Sequence, residues 1–118
     1  MATFFGFALA DSMFTGDCFI SRVVLSPEQA RDVIAEAIKY DSFKSCLNPS
    51  HTATIEAAKN RFGIEVEIPQ SPPQVALKFG DKLVVMGVRG LPRLTDRHEY
   101  SVGEIEKAAF SFSLYTVE

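Results

Sequence analysis

The turn Asn48-Pro49-Ser50-His51-Thr52 holds one of the chain's two histidines among small polar residues, directly ahead of a helical pattern. The amides of a helix's first turn attract a phosphate or carboxylate, and an imidazole beside them can donate a proton to a leaving oxygen near neutral pH. On this reading His51 is the catalytic group and Asn48, Ser50 and Thr52 bind the ligand. The same residue types also serve as helix caps, so anion chemistry and capping are two readings of one pattern.

A second concentration of chemistry lies later in the chain, where Arg89, Arg93 and Arg97 with His98 gather positive charge in an otherwise acidic sequence. Guanidinium groups pair bidentately with phosphate oxygens, which makes Arg89 and Arg93 candidate ligand-binding residues. Asp96 and Glu99 offer the plainer reading of a solvated, charge-compensated loop. Ser12 and Thr15, with Ser45 ahead of the histidine turn, could present hydroxyls to the same ligand, and Ser12 is the one singled out; such residues also simply make loops. Cys46 has no base or orienting acid near it in sequence and reads as packed rather than nucleophilic. Cys18 and Cys46 are the only cysteines, without short-spaced His or Cys companions, so neither a metal nor a cofactor is expected. Both read as reduced thiols of a cytosolic protein.

These residues need a scaffold, and the pattern supplies an α/β (α+β) one. Residues Thr3 to Leu9 form an aromatic and aliphatic strand, followed by a polar loop to Asp17 in which Met13 and Phe14 act as apolar anchors. Phe19 to Leu25 is a second, β-branched strand. Ser26-Pro27-Glu28-Gln29 is a capping box with Pro at the first helical position, and Ala30, Val33, Ile34, Ala37 and Ile38 follow as the apolar stripe of a helix. A short segment around Phe43 to Leu47 leads into the histidine turn. A second helix runs from Thr52 to Phe62, with Gly63 as its left-handed C-cap. Ile64 to Ile68 alternates as an edge strand, and Gln74 to Phe79 with Lys82 to Val88 reads as a hairpin about Gly80-Asp81. A loop from Arg89 to Tyr100, a brief helix from Ser101 to Ala109 and a strand from Phe110 to Val117 complete a mixed sheet of about five to six strands with two main helices and one short one.

At 118 residues the chain is one domain, 1–118, and its 47% of apolar residues suffice for a core without disulfides or metals. A net charge of −3 gives no footprint for duplex DNA. No apolar run approaches the roughly 18 residues that span a bilayer, and the start lacks a basic leader, so a cytoplasmic protein is expected.

In the order and spacing of its motifs the chain resembles the viral ring nucleases, or type III anti-CRISPR proteins, a family of small proteins of archaeal viruses, phages and integrative elements. The likeness runs through Phe7 to Ser12, the Ser26 to Ile38 helix, Ser45 to Ala53, Phe62-Gly63, Ile64 to Ile68, Gly80-Asp81, Arg89-Gly90-Leu91-Pro92 and Ser101 to Ile105. The resemblance implies a mixed-sheet homodimer whose intersubunit cleft binds a cyclic oligoadenylate. It also implies metal-independent cleavage in which a histidine protonates the leaving oxygen as a ribose 2′-hydroxyl attacks the neighbouring phosphate. This sequence departs from the pattern at the catalytic positions. Aligned on Thr52-Ala53, the family's histidine falls opposite Pro49, and His51 stands two positions later. Aligned on Leu91-Pro92, Gly90 and Arg93 occupy the positions of the family's Arg and Glu, with Arg89 one place earlier, and Pro72-Pro73 replace its Asn-Arg.

The expectation is therefore an anti-defence protein that binds a cyclic oligonucleotide messenger, with cleavage as the step His51 would add. The alternative, from a different class, is a non-enzymatic inhibitor that binds a host defence complex and presents Glu65, Glu67, Glu104 and Glu106 as acidic surface. A plain accessory protein without a ligand is the third reading.

Overall fold

The computed structural model describes residues 1–71, 73–89, 103–104 and 108–118. Its elements are β1 (Thr3–Gly6), a 3-10 turn at Asp11–Met13, β2 (Ile20–Leu25), α1 (Pro27–Lys39), β3 (Phe43–Ser45), α2 (Thr52–Phe62), β4 (Lys82–Arg89) and β5 (Ala109–Val117). The strands form a five-stranded sheet in the order β2-β5-β4-β1-β3. β1 is parallel to both of its neighbours, β3 and β4, whereas β5 is antiparallel to both β2 and β4. The sheet is thus half parallel and half antiparallel, as the mixed-sheet expectation required.

Both helices lie on one face of this sheet. Ala30 and Ile34 of α1 and Ala58 of α2 pack with Phe5, Val84, Met86 and Phe112, a cluster that also takes in Leu47 and Ile64. Alternate residues of the same strands, Phe4, Leu83 and Val117, form a smaller cluster on the other face with Leu77. Met13, Phe14 and Val75 pack onto it from non-repetitive chain, which bears out Met13 and Phe14 as anchors. α1 begins as its sequence predicts: Gln29 N donates to Ser26 Oγ at 3.1 Å, and Ser26 N to Gln29 Oε1 at 2.8 Å. α2 ends at Gly63, whose φ of +69° is the left-handed cap a Cβ would strain.

Several expectations are corrected. The hairpin about Gly80-Asp81 does not form. One edge of β4 is taken by β1 and the other by β5, so Gln74 to Phe79 has no ladder to join. Leu77 makes instead an isolated parallel bridge to Phe14. The Gly80 turn does occur, at φ +85°, but Asp81 organises it by accepting from Lys78 N and from Ala2 N, each at 2.9 Å. Ile64 to Ile68 is likewise no strand. Ile64 is drawn into the core while Glu65 and Glu67 stay exposed, so its alternation records packing rather than pairing. Ile38, placed on the buried stripe of α1, is 48% exposed in the last turn of that helix. Strand one stops at Gly6, three residues short of Leu9, and Phe43–Ser45 is a true edge strand. The final strand opens one residue early, at Ala109, which ends the brief helix sooner than predicted. Of that helix, Gly103 and Glu104 are helical and most of the remainder lies outside the described residues.

Candidate functional site

Parallel strands end at a common edge, and in open α/β sheets ligands bind outside the carboxyl ends of such strands. Here that edge is formed by β1, β3 and β4, and the histidine turn follows β3 directly. Leu47, 2% exposed, anchors the turn in the core. Asn48 Oδ1 accepts from Ser50 N at 3.0 Å and from Ser50 Oγ at 2.8 Å, and His51 N donates to the Asn48 carbonyl at 3.0 Å. This tight Asx turn sets His51 at the N-cap of α2 with φ −85° and ψ 54°. The His51 side chain makes no capping bond, and the Ser50 hydroxyl is engaged by Asn48, so capping does not account for either residue. The imidazole stacks instead on the ring of Phe7, just beyond β1, with centroids 6.4 Å apart and planes 27° from parallel.

The other candidates are spread along the same edge without converging on His51. Arg89 is the last residue of β4, four positions past Val85, which is level with Gly6 of β1. At about 3.3 Å per residue it stands roughly 13 Å farther along the strand direction. The alternation of the pleat puts it on the face of Leu83 and Val85, opposite the helices. Ser12 is exposed in the 3-10 turn and lines a cavity of about 640 Å3 with Thr15, Cys46 and the segment Pro73–Ala76. Arg93, with the rest of its loop, lies outside the described residues. A cavity of about 650 Å3 beside β3, reaching from Met1 to Asp81, is lined by Ser45 alone of the candidate residues.

Cys46 is packed, as its sequence context predicts. Its Sγ donates to the Phe5 carbonyl at 3.0 Å, and burial pushes the thiol up to about 11. That removes the thiolate a nucleophile would need near neutral pH. Among the described residues no three His, Cys, Asp or Glu side chains converge on a point that could hold a metal ion. None of their helices is long and apolar enough to cross a membrane. Sequence reasoning missed Phe7, which it assigned only to a strand. Nothing local to either residue reveals the contact with His51, because the chain folds through β2, α1 and β3 before bringing the two rings together.

The architecture is a small mixed-sheet α+β fold. Among solved structures the chain is similar to B116 of Sulfolobus turreted icosahedral virus (STIV), with a TM-score of 0.73 over 98% of this chain and 99% of that one, at 17% sequence identity. No protein-family model and no curated protein matches the sequence.

Proposed function

We propose that this protein is an anti-defence protein of a virus or mobile element that binds a cyclic oligonucleotide messenger in the host cytoplasm, at the carboxyl edge of its parallel strands. The observation that carries the reading is His51: an imidazole at the mouth of α2 and the end of the strands, held by an Asx turn and a stacked ring, and not spent on capping. First-turn amides of α2 favour a phosphate, and Asn48, Ser50 and Thr52 border it. If the ligand is cleaved, a ribose 2′-hydroxyl gives its proton to water and attacks the adjacent phosphorus, the P–O5′ bond breaks as His51 protonates the leaving 5′ oxygen, and a 2′,3′-cyclic phosphate and a 5′-hydroxyl remain. Of the two candidate arginines, Arg93 would offset charge on the phosphorane-like transition state, while Arg89, on the sheet face opposite the helices, would meet a more distant phosphate of the ligand. The offset of Arg89 along the strand direction suits an extended ligand, and the resemblance implies a cleft between two copies of the chain, with Ser12 as a further candidate contact. The test is a panel of cyclic di-, tri-, tetra- and hexanucleotides read by thermal shift and product chromatography. A specific ligand raises the melting temperature by mass action, and no shift across the panel would sink the reading.

A second reading is favoured by the outer edge of β2. Ile20, Val23 and Val24 are 42%, 54% and 65% exposed there, and Phe19 just before them is 81% exposed. Such a strand, apolar on both sides and without a neighbour among the described residues on its outer edge, can accept a strand of another protein, as a binding inhibitor of a defence complex would require. Substituting Val24 with Lys abolishes capture of a host complex if β2 is the docking edge. Capture unaffected by that change would turn attention away from this strand.

A further inference from the structure

We infer that Phe7 is a positioning residue for His51, an inference that rests on the reading of His51 as the proton donor. The two rings lie within the range of stabilising aromatic pairs, and at 27° they are closer to stacked than to edge-on. Phe7 is itself fixed from below: its ring meets that of Phe5 edge-on, at 86° with centroids 5.8 Å apart, and Phe5 is fully buried. A continuous aromatic path therefore runs from the core through the end of β1 to the imidazole. This matters because the His51 backbone stands at a helix N-cap with non-helical dihedrals, and its side chain makes no capping bond that would fix χ1 and χ2. The imidazole is half-buried beside Phe7, and no hydrogen bond to its ring nitrogens is found among the described residues.

A general acid works only when its N–H is aimed at the leaving oxygen, and displacements of about 1 Å cost on the order of 100-fold in rate. Phe7 supplies that aim without a hydrogen bond and so leaves both ring nitrogens available for proton transfer. Phe7 lies one residue beyond the register that β1 shares with β4.

The experiment compares Phe7→Leu, Phe7→Tyr and His51→Ala on cyclic tetra-adenylate cleavage, melting temperature and the ring-proton NMR signals of His51, assigned by their loss in His51→Ala. Phe7→Leu is expected to lower kcat by about 10- to 100-fold with KM within twofold. It should also move the His51 ring protons downfield as the ring current is lost, with melting still cooperative. Phe7→Tyr keeps the ring and restores both. Wild-type kcat and unmoved His51 signals in Phe7→Leu would overturn the inference. Turnover undiminished in His51→Ala instead overturns the proton-donor reading itself, and a ring-current shift in Phe7→Leu then reports packing alone.

Discussion

The Sγ of Cys46 occupies the space beside Gly6 so closely that a Cβ built on Gly6 would stand 2.7 Å from it. The sulfur cannot easily withdraw, since it ends a side chain with one rotatable bond and donates to the Phe5 carbonyl. Gly6→Ala is therefore expected to destabilise the protein by about 1–3 kcal/mol through overpacking. Cys46→Ala, which empties the contested space, should recover part of that loss. A double-mutant cycle in urea reads the coupling, and strict additivity of the two substitutions would show that the contact is not the cause.

The same thiol gives the fold an alkaline weakness. Burial raises it from its ordinary 9.0 to about 11, so between these values the folded chain retains a proton that the unfolded chain has lost. The sign follows directly: this contribution is fully present below pH 9.0 and disappears as pH climbs through about 11. After allowance for partial solvent screening it is on the order of 1–2 kcal/mol. Chemical denaturation of wild type and Cys46→Ala at pH 8 and pH 11 should show the gap between them narrowing at high pH. A constant gap would contradict the account.

Thiol labelling distinguishes the two cysteines independently. Cys18 is exposed whereas Cys46 is packed and hydrogen-bonded. At pH 8 iodoacetamide should modify Cys18 in the native protein and Cys46 only after unfolding, as mapped by peptide mass spectrometry. Native-state labelling of Cys46 at the rate of Cys18 would show that the strand end around it opens.

Asp81, only 8% exposed, holds the start of β4 to the beginning of the chain through the amides of Lys78 and Ala2. Asp81→Ala leaves both amides without their acceptor and should cost about 2–4 kcal/mol, visible as a fall of roughly 10 °C in melting temperature. Asp81→Asn, with one acceptor oxygen left, should fall between the two. If alanine and asparagine behave alike, the two bonds do not act as a pair.

Gly63→Ala tests the end of α2, where a φ of +69° admits glycine without strain. The expected loss is about 1 kcal/mol, with Gly63→Asn milder because Asn tolerates that conformation better. Equal stability of all three chains in thermal denaturation would mean the helix end can reorganise.

The elements most legible in the sequence were those fixed by their own residues. Ser26-Pro27 with Gln29 marks the start of α1, and Gly63 marks the end of α2, because capping is a matter of a few neighbouring side chains. Pairing was less legible, since it depends on which strand is free to pair. Lys82 to Val88 and Gln74 to Phe79 look like hairpin arms locally, yet β4 is claimed on both sides by β1 and β5 from distant parts of the chain. The site divided in the same way. His51 and its Asn48–Ser50 turn could be found from composition and spacing, whereas Phe7 could not, because no local pattern reports which ring the fold sets against an imidazole.

The position of β5 has a consequence for how the molecule comes into being. The last strand along the chain is the one that joins β2 to β4, the two halves of the sheet. During translation, β2 and its apolar edge leave the ribosome long before the strand that will hold them, and α1 emerges with no finished surface to cover. β2 can join the rest of the sheet only after residues 109–117 have been made, since it pairs with no other strand among the described residues.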